Sequence, residues 1–83
     1  MQVTFTKHAL EKFDLLATFG FKLSQGQVVA AVTSSDKAER RGTQTISTKV
    51  LDGQHALRVV HEERKGIIVV ITFYPVKRSK YDI

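Results

Sequence analysis

The stretch Val59–Pro75, VVHEERKGIIVVITFYP, decides the fold. Apolar and β-branched residues run on both sides of Arg64-Lys65-Gly66, the pattern of two strands joined by a tight turn. Gly66 suits the left-handed position of a three-residue loop. Pro75 stops the second run, because proline donates nothing to a ladder. Such a loop pairs Glu63 with Ile67. It then sets Leu57 opposite Phe73, Arg58 opposite Thr72, Val59 opposite Ile71 and His61 opposite Val69.

Working upstream, TQTISTKVL (43–51) is a third strand-like run, joined to HALRVVHEE (55–63) through Asp52-Gly53. Asp-Gly between apolar runs is the signature of a two-residue type I′ hairpin. That turn sets Thr48 opposite Leu57, Ser47 opposite Arg58 and Ile46 opposite Val59. Alternation sorts the sheet into two faces. One collects Ile46, Val50, Leu57, Val59, Val69, Ile71 and Phe73, with His55 and His61; this is the core face. The other collects Thr45, Ser47, Lys49, Ala56, Arg58, Val60, Val70, Thr72 and Tyr74, with Arg58 near its middle and Tyr74 diagonal to it.

The core face needs helices to cover it, and the N-terminal half supplies two. Residues 2–5 alternate as a short strand. A helix follows with Thr6 as N-cap, a stripe of Leu10, Phe13, Leu16 and Ala17, and Gly20 at its C′ position. A second helix starts at Ser24, where S-x-x-Q forms a capping box with Gln27. Its apolar positions are Val28, Val29, Ala31 and Val32, although Gly26 and the three valines also suit a strand. From Ser34 to Gly42 the chain is polar and charged, a loop with room for a short edge strand. The expectation is an α+β domain spanning residues 1–83, two N-terminal helices packed on a small antiparallel sheet of three to four strands.

Composition bounds the function. With 42% apolar and 25% charged residues the chain is globular rather than disordered. No cysteine excludes a disulfide framework and a thiolate metal site, and fits a cytoplasmic location. No apolar run reaches membrane-spanning length, and MQVTFTKHALEKF lacks the apolar segment of a signal peptide. So small a core gains from a partner chain, a homodimer among them. The net charge is +5, of which residues 36–83 hold +4 (ten Lys and Arg against six acids). A basic surplus on one half suits an anionic partner such as RNA, DNA or an acidic protein, and equally a surface that merely stays soluble.

Against that background Arg58 is the first candidate, since a guanidinium in mid-strand on an open face can hold a phosphate bidentately. Tyr74 can orient a nucleotide, and its hydroxyl can take part in proton transfer. His8, in the first turn of the first helix, is placed to act as a base or hydrogen-bond donor when neutral. Lys49 on the same face as Arg58, and Lys77, Arg78, Lys80 and Tyr81 in the tail, make up a nucleic-acid-binding set. Each has a bland counterpart: an arginine lying over valines, a strand-end tyrosine, a junction histidine, a solvated tail. His61 falls on the core face as a structural histidine. The three histidines lack metal-ligand spacing, and no nucleophile elbow, P-loop or dinucleotide fingerprint occurs, so the motifs call for no metal and no cofactor.

FTKHALEKF, ALRVVHEERKGIIVVITFYP and KRSKY together resemble a family of short uncharacterised bacterial domains. Its members open with T-x-H-A-x-x-R/K and close on R-V-V-x…I-V-V-I-T-x-Y-P. More distantly that family is similar to the RelE/ParE-like toxins of toxin–antitoxin pairs. The resemblance implies a metal-independent endoribonuclease whose basic and tyrosine side chains handle the RNA phosphate and the 2′-hydroxyl proton. By role Arg58, Tyr74, Arg78 and Tyr81 fill such places, and His8 belongs to the opening motif. The alternative it implies is a non-catalytic interaction module whose basic face binds an acidic partner, an antitoxin or a topoisomerase-like target.

Overall fold

The computed structural model describes residues 2–83. β1 (Val3–Phe5) leads into α1 (Lys7–Thr18) and α2 (Gln25–Thr33). Four strands follow: β2 (Lys37–Arg41), β3 (Gln44–Val50), β4 (His55–Arg64) and β5 (Ile67–Lys77). A 3-10 turn at Arg78–Lys80 ends the described fold. The strands form one sheet in the order β1-β5-β4-β3-β2. β1 runs parallel to β5, and every other pair is antiparallel.

This corrects the expected small antiparallel sheet of three to four strands: the sheet has five and is mixed. Two short edges account for the difference. The charged run KAERR is a strand because an edge needs only one partner, and charges on an edge discourage pairing with other chains. Asp36 starts it, its N–H donating to the Thr48 carbonyl at 2.8 Å and its carboxylate accepting from the Val50 N–H at 2.8 Å. At the other edge β1 pairs Val3, Thr4 and Phe5 with Ile68, Val69 and Val70.

Both hairpin turns depart from the expected lengths. The Asp52 carboxylate accepts the N–H groups of Gln54 and His55 at 2.8 and 2.7 Å, which draws Gln54 into the turn. The pairing slips by one, so that Lys49 faces Leu57, Thr48 faces Arg58 and Ser47 faces Val59. A one-residue slip exchanges the faces of a whole strand. Thr45, Ser47 and Lys49 therefore lie on the helix side, and Ile46, Thr48 and Val50 on the open side. Between β4 and β5 the turn is the two-residue pair Lys65-Gly66, with φ of 51° and 78°, the mirror-image geometry that matches strand twist. A bulge then inserts Ile71 between the pairs His61–Val70 and Val60–Thr72. The Thr6 hydroxyl donates to the bulged Ile71 carbonyl at 3.1 Å.

Both helices begin where their caps predict. Thr6 accepts from the Ala9 N–H at 3.1 Å, and Ser24 and Gln27 close a reciprocal capping box. Gly20, at φ 91°, follows the end of α1. The buried stripe of α1 is Ala9 and Leu16 with Phe13 beside them, while Leu10 and Ala17, expected inside, are exposed. Val28 and Ala31 anchor α2. They pack with Leu57, Val59, Val70 and Phe73, and Phe13 tilts against Phe73 with ring centroids 4.7 Å apart. Val70 rather than Val69 enters this core, a consequence of the two-residue turn. Among the described residues no helix is long and apolar enough to cross a membrane.

Candidate functional site

Thr48, Arg58 and Tyr74 occupy one rung across β3, β4 and β5, and alternation sends all three to the face away from the helices. Arg58 is only 3% exposed there. Its Nε donates to the Tyr74 hydroxyl at 3.4 Å. Nη1 donates to Thr48 Oγ1 at 3.4 Å and to Glu39 Oε1 at 3.5 Å. The Tyr81 ring closes the site from above, its centroid 4.3 Å from the guanidinium carbon.

A charge this deep has to be compensated. Burial alone pushes the Arg58 guanidinium toward losing its proton, but Tyr74, Glu39 and Tyr81 more than offset that and raise its pKa above the ordinary value. Glu39 arrives from the edge strand, where it pairs with Ile46, and divides its carboxylate between Arg41 at 3.2 Å and Arg58 at 3.5 Å. Burial works against the charge of Glu39 as well, yet the two arginines hold its carboxyl below the usual range. All three hydrogen bonds from Arg58 exceed the 2.7–3.2 Å usual for N–H···O. The guanidinium is enclosed but loosely bonded. A phosphate, by contrast, takes a guanidinium in two shorter charged bonds.

His8 stands at the rim. Its Nε2 is 3.2 Å from Thr72 Oγ1, and Thr72 precedes Tyr74 by two residues on the open face of β5, about 7 Å away along the strand. The parallel pairing of β1 brings the start of α1 to this edge, with the Thr6 N–H on the Val70 carbonyl at 3.1 Å. Arg58 and Tyr74, expected to act together with His8, are direct partners, whereas His8 reaches only the edge of their face through Thr72.

The expected nucleic-acid set divides. Lys49 is not part of this face. The slipped register turns it to the helix side, where Nζ donates to the Ser34 carbonyl at the end of α2, 2.9 Å away. Arg78 is occupied within the chain, donating through Nε to the Ile83 carbonyl at 3.0 Å and through Nη1 to the Asp52 carbonyl at 3.2 Å. Lys77 is exposed but pairs with His55 at the end of β5, which turns it to the helix side as well; Lys80 is exposed in the 3-10 turn, and Tyr81 lies on Arg58. Glu39 and Thr48 were not found from the sequence as partners of Arg58. The signal for Glu39 was its alternate spacing with Lys37 and Arg41, legible only once that run is taken as a strand.

On the helix face His61 Nε2 is 2.8 Å from Ser47 Oγ, and burial depresses its pKa. It borders a cleft of about 450 Å³ with Arg40, Thr43, Thr45, Glu63 and Ile68. His55 sits by the turn, its Nδ1 3.1 Å from Asp52 Oδ1 and its ring edge-on to Phe21. Among the described residues no three of His, Asp and Glu converge as a metal site would require. No family model, no curated protein and no solved structure matches this chain.

Proposed function

We propose that this protein binds RNA on the open face of its sheet and cleaves it through side chains alone, as a small toxin or toxin relative of the RelE/ParE kind. The observation that supports this most is the rung that joins Arg58 to Tyr74 at 3.4 Å, with His8 3.2 Å from the hydroxyl of Thr72, two residues before Tyr74 on β5. Arg58 neutralises the scissile phosphate. His8 or Tyr74 accepts the 2′-hydroxyl proton as that oxygen attacks phosphorus. The bond to the 5′ oxygen breaks and that oxygen takes a proton, leaving a 2′,3′-cyclic phosphate and a 5′-hydroxyl. Lys80, exposed in the turn before Tyr81, steers the strand toward the face.

Purified protein, Arg58→Lys and His8→Ala, each checked for folding, are incubated with RNA in EDTA, with and without ribosomes. Cleavage by the wild type that falls at least about tenfold in Arg58→Lys is the expected result, and a matching fall in His8→Ala assigns the proton to His8 rather than Tyr74. No cleavage by the wild type under either condition overturns the reading.

A second reading is favoured by the low exposure of Arg58 and by the exposed lysines, none of which is in an ion pair among the described residues. In it the basic tail binds an acidic protein segment such as an antitoxin and no bond is broken. Salt-sensitive binding of an acidic peptide by a protein that leaves RNA intact replaces the first reading with this one.

A further inference from the structure

We propose that Tyr81 occupies the place of a nucleobase over Arg58, and that the C-terminal segment swings aside to admit single-stranded RNA. This rests on the RNA reading of the same face. At 3% exposure Arg58 is out of reach of any polymer while Tyr81 is seated. The occupant it now has, an aromatic ring 4.3 Å above the guanidinium plane's carbon, is the chemistry by which proteins hold unstacked bases on arginine.

The cover is built to open. Residues 78–80 form a single 3-10 turn with no buried member. Its ties are few. The Arg78 N–H donates to the Gln54 carbonyl at 2.9 Å, and the Arg78 guanidinium donates to the carbonyls of Asp52 and Gly53 at 3.2 and 3.5 Å. The Tyr81 N–H donates back to the Arg78 carbonyl at 3.0 Å. A segment with no buried anchor opens locally at small cost, without unfolding the sheet beneath it. Beneath it the three long bonds of Arg58 leave the guanidinium ready to exchange Tyr81 and Glu39 for a base and a phosphate.

Arginine accessibility and RNA binding are read separately. Phenylglyoxal, which modifies arginine, is applied to the wild type, Tyr81→Ala and Arg78→Ala. Labelling at Arg58 is followed by peptide mass spectrometry against the exposed Arg41 and Arg64. The same proteins are titrated with 2′-O-methyl oligouridylate, which the proposed reaction cannot cleave. Expected are labelling of Arg58 faster by about tenfold in both variants, unchanged labelling of the reference arginines, and oligonucleotide binding about tenfold tighter in Tyr81→Ala. Unchanged labelling of Arg58 in both variants overturns the cover. Faster labelling with no gain in oligonucleotide affinity overturns the nucleobase as its occupant. Tighter oligonucleotide binding by Tyr81→Ala supports the subsite even where no RNA is cleaved, so its failure and that of the ribonuclease reading are told apart.

Discussion

The Tyr81 ring lies over the Arg58 guanidinium, 4.3 Å from ring centroid to Cζ, and by this contact the sheet acquires a second covered face. Helices bury one side of β4, and a half-solvated sheet would leave the other side wet. Here Ala56 is fully buried and Thr48 is 1% exposed on that other side, around an arginine at 3%. The middle of the sheet is dry on both faces, with a charge at its centre.

Removing that charge is costly because its partners stay behind. Arg58→Ala leaves Glu39 beside an emptied pocket and Tyr81 without its platform. We expect a loss of about 3 kcal/mol, set by the cavity that a buried side chain leaves and by the hydrogen bonds it gave to Tyr74 and Thr48. The exposed Arg41→Ala, which touches the same carboxylate, changes stability by no more than about 0.5 kcal/mol. Urea midpoints of the two variants check the contrast; equal losses would place Arg58 among ordinary surface residues.

His61 gives the fold a pH dependence near neutrality. Burial depresses its folded pKa below the imidazole's ordinary 6.5, so the unfolded chain binds the proton first. Its contribution is fully present above pH 6.5 and fades as pH falls from there through the folded pKa. Stability measured in urea should therefore drop between pH 7.5 and 5.5 in the wild type, and His61→Gln should flatten the drop. A wild type whose midpoint does not move across that range contradicts this account.

Arg58 and Tyr74 were legible as neighbours on one face for a reason that tolerated error. The turn at Lys65-Gly66 is one residue shorter than the sequence suggested, and the bulge at Ile71 adds one more residue of offset. The two shifts together preserve parity, so β5 beyond the bulge keeps its expected face and Tyr74 moves from a diagonal neighbour of Arg58 to its direct partner. The turn at Asp52 has no such compensation. Its side chain captures two backbone N–H groups and lengthens the loop by one, which carried Lys49 away from the site and Thr48 into it. A local string cannot reveal that choice, because Asp-Gly supports both turn lengths. Glu39 was out of reach for another reason: an edge strand carries no apolar alternation to announce itself.

The turn between β4 and β5 offers a stabilising change. Lys65 holds φ at 51°, a region that side chains other than Asn, Asp and Gly enter at a cost. Lys65→Asn places the preferred residue before Gly66 and should raise stability by about 0.5 kcal/mol, read as an upward shift in Tm. A lower Tm would mean that this turn departs from the mirror-image type.

The capping box of α2 is a second local test. Ser24 Oγ accepts the Gln27 N–H at 3.1 Å, and Gln27 Oε1 accepts the Ser24 N–H at 2.8 Å. Ser24→Ala removes the first of these and should cost about 1 kcal/mol in urea unfolding. Ser24→Gly should cost only a few tenths, roughly, because glycine tolerates the cap conformation. The helix carries Val28 and Ala31 into the core, so the loss is felt by the whole domain rather than by one frayed turn.

The lysines separate cleanly by the role their position allows. Lys80 is exposed in the 3-10 turn that leads to Tyr81, whereas Lys77 pairs with His55 on the helix side of β5 and Lys49 donates to the Ser34 carbonyl on that same side. On single-stranded RNA each neutralised phosphate contributes about 0.7 to the slope of log affinity against log salt. Lys80→Ala should therefore weaken binding and flatten that slope by about 0.7, while Lys49→Ala leaves both unchanged. Fluorescence anisotropy of a labelled oligoribonucleotide from low to moderate salt measures all three proteins. A slope that changes with Lys49 and not with Lys80 would move the RNA path to the helix side of the sheet and away from Arg58.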